Sequence, residues 1–281
     1  MSWQQYNVVH RGEPHTVVGD VQVWPGLESP QLGNSRDLLV YLPPSYWQRQ
    51  ARRYPVLYMH DGQNLFDELT SFAGEWRVDE TMEALAREGI EAIVVGVPNS
   101  GTTRIDEYTP YRDGRHGGGK GDAYLRFLLE TVKPLVDRSF RTDTSRAATG
   151  LMGSSLGGLI SLYGFFFLPE QFGFVGAMSP ALWFARGRLL REIGRRPPIL
   201  GRIYLDTGTA EGAEPAKMEA WHRTLLSRSS TLAGELYELL VAKGYRPGHD
   251  ISYVEEQDAA HNESFWAARL PGAMRFLLGE R

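Results

Sequence analysis

The pentapeptide at residues 153–157 reads G-x-S-x-G, with a small apolar run before it and a helical pattern after it. Hydrophobic residues recur at helical spacing from Leu156 onward. This combination is typical of a sharp strand-to-helix turn that holds a serine hydroxyl above the end of a sheet. A serine-capped helix after a loop would contain the same five residues, but the flanking patterns favour the turn. Ser155 is therefore the candidate nucleophile, at a helix N-terminus that favours developing negative charge.

Strand and helix patterns alternate along most of the chain and predict an α/β fold. Strands are predicted at 16–25, 36–43, 54–60, 90–97, 174–178, 202–206 and 250–255, helices at 76–88, 124–136, 215–230, 232–243 and 262–278, and a loop at 98–121. Such alternation indicates a mostly parallel central sheet with helices on both faces. We expect a single domain over residues 1–281, in which strands from residues 1–50 extend the sheet.

Composition narrows the possible functions. The 281 residues, of which 42% are hydrophobic, can bury a full core. The chain has no cysteine, which excludes disulfides, thiolate metal sites and cysteine nucleophiles. A net charge of −4 gives no reason to expect nucleic acid as a partner, and no apolar window reaches the length of a membrane span. The N-terminus lacks the pattern of a signal peptide, so we expect a cytoplasmic protein; a secreted chain whose leader had been removed would look the same.

A serine hydroxyl needs an adjacent base to act as a nucleophile. Where the serine stands on such a turn, the acid and then the histidine follow it along the chain. Of the histidines after Ser155, His222 lies inside a helical pattern and His249 precedes the last predicted strand. His261 follows that strand and so belongs to the carboxyl edge of the sheet, where active-site loops gather. We therefore predict His261 as the base.

The acid partner of His261 should follow an earlier strand at the same edge. Glu211 lies in the loop beyond the strand at 202–206, whereas Asp206 closes that strand. The acid orients the histidine and stabilises its charged form, so Glu211, Asp206 or Asp258 could serve. We favour them in that order.

Acyl transfer also requires two N–H donors for the negatively charged oxygen. One is the backbone N–H of Leu156, directly after the nucleophile. The second is expected from the loop after the strand at 54–60, where Gly62 would let the backbone approach the substrate. We predict the backbone N–H of Gln63 as this donor.

Two other segments suggest different chemistry and are set aside. Asp61, Asn64 and Asp67 could belong to a calcium loop, but their spacing does not match the EF-hand series. Residues 114–121 nearly match a phosphate loop, but Gly121 stands where a hydroxyl is needed and no strand precedes the segment. We expect a mobile loop beside the pocket there. For the arginines at 186, 188, 191, 195 and 196 we expect a solvated helix face, with recognition of an acidic substrate as the alternative.

Taken together, the motifs of residues 35–278 resemble the putative-esterase family of α/β-hydrolases, which includes S-formylglutathione hydrolase, feruloyl, acetylxylan and enterochelin esterases, and mycolyltransferases. The resemblance rests on the segments at 54–64, 153–158, 178–183, 208–211 and 261–266. It implies the α/β-hydrolase fold and a serine carboxylesterase that works through an acyl-enzyme, without cofactor or metal. In relatives the acid usually follows a Gly-Thr pair, which points to Glu211. Many relatives have Asp there, and some siderophore esterases lack the acid, so a Ser–His pair stays open.

The aromatic residues Trp183 and Trp266 are expected to wall the substrate pocket, with Tyr111 a further candidate, although all three could belong to the core. The expected partner is a small-molecule or sugar-linked ester, and no oligomeric state is implied. Two other functions remain as alternatives: acyl transfer to an alcohol on the same triad, and a non-catalytic binding protein on the same scaffold.

Overall fold

A nine-stranded sheet forms the centre of the molecule, in a computed structural model that describes residues 2–212 and 220–279. The strands in chain order are β1 (Gln4–Gln5), β2 (Asp20–Ser29), β3 (Asn34–Leu42), β4 (Val56–His60), β5 (Ile93–Val97), β6 (Arg112–Asp113), β7 (Gly117–Gly118), β8 (Thr149–Ser154), β9 (Phe174–Met178), β10 (Arg202–Gly208) and β11 (Ile251–Glu256). Across the sheet the order is β1-β2-β3-β5-β4-β8-β9-β10-β11, while β6 and β7 form a separate hairpin. The pairings from β1 to β5 are antiparallel and those from β5 to β11 are parallel.

Helices cover both faces of the sheet. They are α1 (Tyr6–Val9), α2 (Val78–Ala86), α3 (Arg104–Tyr108), α4 (Gly121–Phe127), α5 (Lys133–Ser139), α6 (Leu156–Phe167), α7 (Phe184–Arg195), α8 (Ala220–Ala242) and α9 (Glu263–Leu278), with a π-helical turn, Leu128–Val132, between α4 and α5. Apolar residues of α4 to α8 pack on one face, and those of α2 and α9 pack on the other. The mostly parallel α/β architecture predicted from the sequence is confirmed.

The strand sequences explain this two-sided core. Successive side chains of a strand point to opposite faces, so Leu38 and Val40 of β3 join one cluster while Leu39 and Tyr41 join the other. All five residues of β4 are buried, because helices lie on both sides of it. Each fully buried Leu or Val side chain contributes roughly 1.5–3 kcal/mol, which makes these runs the main source of stability.

The strand order changes direction beside β4. The chain passes from β4 to β5 on one side, and later reaches β8 on the other. Ligands of open α/β sheets bind at such switch points, outside the carboxyl ends of the strands. The loop that carries Gln63 follows β4, and Ser155 follows β8, so both predicted site segments flank this crevice.

Three predicted elements are wrong in detail. Strand β2 begins four residues late and continues past Pro25, because a register shift between Trp24 and Leu27 accommodates the proline. The predicted loop at 98–121 contains α3 and the β6–β7 hairpin. The helices predicted at 215–230 and 232–243 form one helix, α8, because the polar residues where they meet do not break it. Residues 215–219 of the first prediction lie outside the described residues.

The glycine-rich segment, residues 114–121, is part of a hairpin that side-chain hydrogen bonds stabilise. The N–H of Gly118 donates to Oδ1 of Asp106 over 2.8 Å, and Oδ1 of Asp113 accepts from the N–H groups of Arg115 and His116. A strand that the sequence did not predict, β6, leads directly into this segment, but it is a two-residue strand of the hairpin and not a strand of the central sheet. Together with Gly121 at the position of the required hydroxyl, this setting does not fit a phosphate loop. Across those same residues, no helix is both long and apolar enough to cross a membrane.

Candidate active site

Ser155 occupies a strained turn between β8 and α6. Its φ of 53° and ψ of −119° are a combination that non-glycine residues rarely adopt. Backbone hydrogen bonds hold this geometry, because the N–H of Ser155 donates to the carbonyl of Met178 and its own carbonyl accepts from Leu159 and Ala181. The serine lines a cavity at the carboxyl edge of the sheet.

The two glycines that flank Ser155 in the motif lie in tight packing. A Cβ on Gly153 would lie 2.8 Å from the carbonyl carbon of Gly157, and a Cβ on Gly157 would lie 3.3 Å from Cβ of His60. A larger residue at position 153 would push the start of α6 away from β8. The G-x-S-x-G pattern therefore has a steric cause in this fold.

His261 and Glu211 meet at the same edge from two neighbouring loops. Nδ1 of His261 lies 3.1 Å from Oε2 of Glu211, and the two side chains are 10% and 0% exposed. The other carboxylate oxygen, Oε1, accepts from the hydroxyl of Thr207 and the N–H of Gly208. Both oxygens of Glu211 are thus engaged, and one of them fixes the orientation of the imidazole.

Burial on its own would raise the pKa of Glu211. Hydrogen bonds from His261, Ser179 and the N–H of Gly208 nevertheless hold this pKa below the ordinary value for Glu. The carboxylate is therefore ionised at neutral pH and can only accept. Nδ1 of His261 is then the donor to Oε2, so Nε2 is the ring nitrogen that can act as a base.

A close approach of two backbones brings these loops together. The N–H of Ala210 donates to the carbonyl of Ala259, and a Cβ on Gly208 would lie 2.0 Å from that oxygen. The hydroxyl of Thr209 accepts from the N–H of Asp258. These contacts join the loop after β10, which carries Glu211, to the loop after β11, which carries His261.

The other candidate acids have different partners. Asp206 is fully buried and pairs with Nε and Nη2 of Arg269, and it also accepts from the N–H of Ser179. Burial raises the pKa of Asp206 to about 6 against the opposing effect of Arg269. Asp258 is exposed and accepts from the amide of Gln257. Neither carboxylate contacts the imidazole of His261.

Two further histidines follow Ser155 in the sequence, and the structure describes the side chain of one of them. His249 is exposed in the turn before β11, at the amino end of that strand. His222 falls on the first turn of α8, and its side chain lies outside the described residues.

A cavity of about 430 Å³ contains the site. Ser155, His261, Gln63 and Leu156 line it, together with Trp183, Trp266, Phe72 and Ile105. Phe72 is 92% exposed at this wall, so an apolar side chain stands open to solvent beside the serine. The cavity therefore combines a polar reacting end with apolar walls, as small-molecule sites usually do.

Tyr111 does not belong to this cavity, which corrects its assignment as a candidate pocket residue. Its hydroxyl donates to Glu192, its ring packs edge-on against Tyr163, and the guanidinium of Arg188 lies 4.5 Å from the ring centre. Tyr111 is therefore buried against α7. Its position in the sequence, next to the glycine-rich hairpin, gave no indication of this packing.

The loop after β4 carries the predicted second N–H donor. Asp61 adopts a left-handed conformation with a φ of 55°, and Gly62 begins a 3₁₀ turn that runs to Asn64. A Cβ on Gly62 would lie 2.6 Å from the backbone of β5, so only glycine allows this close packing. Gln63 lines the cavity, and Leu156 stands in the first turn of α6, where backbone N–H groups lack helical partners.

An ion pair that the sequence did not indicate supports this loop. Nε and Nη2 of Arg104 each lie 2.7 Å from the carboxylate of Asp61, and the amide of Asn99 donates to the same group. Burial opposes ionisation, but Arg104 holds the pKa of Asp61 below its ordinary value. Arg104 and Asp61 lie more than forty positions apart, so only the fold brings them together.

The calcium-loop alternative is not supported. Asp61 faces Arg104, Asn64 contacts the N–H of Phe72 and the carboxylate of Glu263, and Asp67 accepts from Tyr6. The three side chains therefore have separate protein partners and do not converge.

Among the described residues, one cluster of three carboxyl groups has a spacing that could hold a metal ion. Ligand atoms of Glu75, Asp79 and Glu80 lie within 4.8 Å of one another near the start of α2, and none of the three lines the catalytic cavity. Burial raises the pKa of Asp79 to about 9, so this carboxyl is protonated at neutral pH and can donate to Glu80. The hydrogen bond between Asp79 and Glu80 accounts for the close approach of these two side chains without a metal.

Comparison with solved structures identifies the fold. An IroE-like serine hydrolase from Shewanella oneidensis matches with a TM-score of 0.69 and 20% identity, over 92% of this chain and 80% of that chain. At this identity the likeness shows the fold, which is that of the α/β-hydrolases, the class that includes serine hydrolases.

A family model described as "Putative esterase" matches residues 29–277, and the chain belongs to this family of serine esterases. The uncharacterized protein YbbA of Bacillus subtilis (strain 168) is 25% identical over 90% of this chain and 96% of its own length. The siderophore triacetylfusarinine C esterase of Aspergillus fumigatus is 31% identical over 63% of this chain. The matched part is 60% of that esterase.

Proposed function

We propose that this protein hydrolyses carboxylic esters through an acyl-enzyme on Ser155. The observation that carries the proposal is the contact between His261 and Glu211 at the edge of the cavity that Ser155 also lines. A buried, ionised carboxylate that fixes one imidazole nitrogen leaves the other available as a base for a serine in a strained turn.

In this mechanism, Nε2 of His261 takes the proton of Ser155 as its hydroxyl oxygen attacks the ester carbonyl. The N–H groups of Gln63 and Leu156 donate to the resulting oxyanion, and one such donor accounts for about 10²- to 10³-fold in rate. His261 then returns the proton to the leaving alcohol. Water, deprotonated by His261, attacks the acyl-enzyme and releases the carboxylic acid, while Glu211 stabilises each imidazolium.

The test uses 4-nitrophenyl acetate turnover and labelling with a serine-directed fluorophosphonate. Wild type should turn over the ester and take up one label, and Ser155→Ala should do neither while melting at an unchanged temperature. Ser154→Ala is the matched control, because Ser154 is the adjacent serine in the same cavity wall. Labelling that survives in Ser155→Ala, or is lost in Ser154→Ala, would contradict the proposal.

The same assay separates the alternative functions. Partition of the acyl group between water and added alcohols distinguishes hydrolysis from acyl transfer, and exclusive transfer would overturn hydrolysis. A protein with neither turnover nor labelling would be a binding protein on this scaffold.

For the substrate class, the Aspergillus fumigatus relative is named for a siderophore ester, and feruloyl esterases belong to the family that the sequence resembles. We propose an ester with an apolar or aromatic portion beside the carbonyl, because Trp183, Trp266 and Phe72 wall the cavity. A panel of alkyl, hydroxycinnamate and siderophore esters tests this, and a uniform kcat/KM across the panel would argue against selection by these walls.

A further inference from the structure

A second concavity, of about 870 Å³, adjoins the catalytic cavity. His116 and Trp183 line both spaces, so the two meet at this pair of side chains. We refer to the second space as the arginine basin, after the residues that line it: Arg112 and Arg115 from the β6–β7 hairpin, Arg186 and Arg188 from the start of α7, and Arg228 from α8.

Among the described residues, most arginines of the arginine basin have no ion-pair partner. Arg188 pairs with Glu192, but within the described residues Arg112, Arg115, Arg186 and Arg228 form no ion pair. Of the residues that line the basin in the described part of the chain, Asp113 alone is acidic. Its Oδ1 is already engaged by two N–H groups of the hairpin turn.

This concentration of positive charge runs against the composition of the chain. The protein has 34 acidic and 30 basic residues, so a random surface region would be slightly negative. A concave surface lined by one sign of charge focuses its field and raises the local concentration of ligands of opposite sign. Guanidinium groups also match carboxylate and phosphate oxygens geometrically, through paired hydrogen bonds.

The backbone at the start of α7 is strained where it meets the basin. Ala185, Arg186 and Gly187 all have left-handed φ values, of 48°, 59° and 73°. For the two residues with side chains this costs roughly 1–2 kcal/mol each. In a regular helix, residues two apart point to different sides, whereas here Arg186 and Arg188 both line the basin. Strain that brings side chains to one cavity is typical of functional sites.

We propose that the arginine basin binds an anionic group of the substrate, a carboxylate, phosphate or sulfate, while the ester bond lies at Ser155. The preferred substrates are then esters whose anionic group lies several atoms from the reacting carbonyl. This proposal rests on the proposed hydrolysis at Ser155 and specifies its substrate class.

The kinetic test compares two pairs of esters that differ only in charge. One pair carries the charge on the acyl side, mono-4-nitrophenyl suberate and the corresponding primary amide. The other carries it on the alcohol side, 4-(4-acetoxyphenyl)butanoate and the corresponding primary amide. In wild type, kcat/KM for the anionic member of at least one pair should exceed that of the neutral member by about tenfold or more. Added NaCl should reduce this advantage, since salt screens exposed charges.

The variant Arg112→Ala/Arg186→Ala should abolish the preference for the anionic ester and leave kcat/KM for the neutral ester within about twofold of wild type. Arg138→Ala is the matched control, because Arg138 is an exposed arginine of α5 that does not line the basin. Equal rates for both members of both pairs in wild type, or a preference that survives in the double variant, would overturn the proposal.

A binding measurement keeps the basin testable if no ester is turned over. Calorimetry with two non-reacting anilides, 8-(4-nitroanilino)-8-oxooctanoic acid and its neutral primary amide, should give a Kd about tenfold or more lower for the acid, in wild type and in Ser155→Ala. The difference should vanish in Arg112→Ala/Arg186→Ala. Tight anion binding without turnover would refute hydrolysis alone, whereas turnover of neutral esters without selective anion binding would refute the basin alone.

Discussion

Glu211 and Asp206 are buried carboxylates only five positions apart, and their partners separate their roles. Glu211 accepts from His261, while Asp206 pairs with Arg269 beneath the loop that carries Ser179. The first contact orients a catalytic candidate, and the second joins β10 to α9. The order of preference from the sequence, Glu211 before Asp206, agrees with these contacts, and the catalytic role of Glu211 stays a prediction.

At the residue scale, we predict that neutralising Glu211 lowers activity, whereas neutralising Asp206 lowers stability. Glu211→Gln should lower kcat by about 10³- to 10⁴-fold, less than the roughly 10⁶-fold loss in His261→Ala, because the acid orients the base without taking the proton. Single-turnover kinetics measures the loss of activity in each variant, and urea unfolding measures its stability. Glu211→Gln with near-normal activity would remove the acid from the triad.

Asp206→Asn should lower the free energy of unfolding by roughly 3 kcal/mol, since it breaks a buried ion pair, and should keep kcat within about tenfold of wild type. A crippled but fully stable Asp206→Asn protein would reverse the assignment of the two carboxylates.

At the scale of secondary-structure elements, the contact between the loop after β10 and the loop after β11 positions the two candidate catalytic side chains. Gly208 and Ala259 touch through their backbones, and this contact sets the separation of Glu211 from His261. The sequence shows a Gly-Thr pair before Glu211 but not the carbonyl that excludes a side chain at Gly208.

We expect Gly208→Ala to separate these loops, because its Cβ would lie 2.0 Å from the Ala259 oxygen. Ester turnover should fall by about 10²-fold or more, since a small displacement of catalytic groups is costly. Gly272→Ala in α9 is the control: its Cβ meets nothing within 4 Å, and alanine favours a helix by about 1 kcal/mol over glycine. An active Gly208→Ala enzyme would show that the contact does not position the site.

At the scale of the whole molecule, a polar residue, His60, is buried at the switch point of the sheet. His60 ends β4, its Nδ1 lies 2.7 Å from the hydroxyl of Tyr124, and it packs against Gly157 of α6. Burial lowers the pKa of His60 to about 4, so the ring is neutral in the folded protein at pH 7.

This burial predicts a pH-dependent difference between wild type and His60→Gln. Unfolded His60 takes up a proton below about pH 6.5, while the folded protein resists protonation until about pH 4. The contribution of His60 to stability is therefore complete above pH 6.5 and declines as the pH falls. Relative to His60→Gln, wild type should lose roughly 3 kcal/mol between pH 7 and pH 4, measured by urea unfolding at each pH. A constant difference would contradict a neutral buried ring.

Local sequence patterns were sufficient for the α/β architecture and for the segments that carry Ser155, His261 and Gln63. Strand runs and helical spacing are local signals, and parallel strands place the loops that follow them at one edge. Packing between distant segments produced the exceptions: Tyr111 packs under α7, α3 lies inside the predicted loop, and α8 continues through its expected break.

Elementary chemistry and spacing within the sequence thus determined which residue types could react and on which edge of the sheet they stand. Tertiary structure alone decided which carboxylate faces His261, which arginine supports Asp61, and that arginines from three separate elements line one basin. The physical reason is that ion pairing and steric exclusion depend on distances of a few ångströms between residues tens of positions apart, which no local pattern encodes.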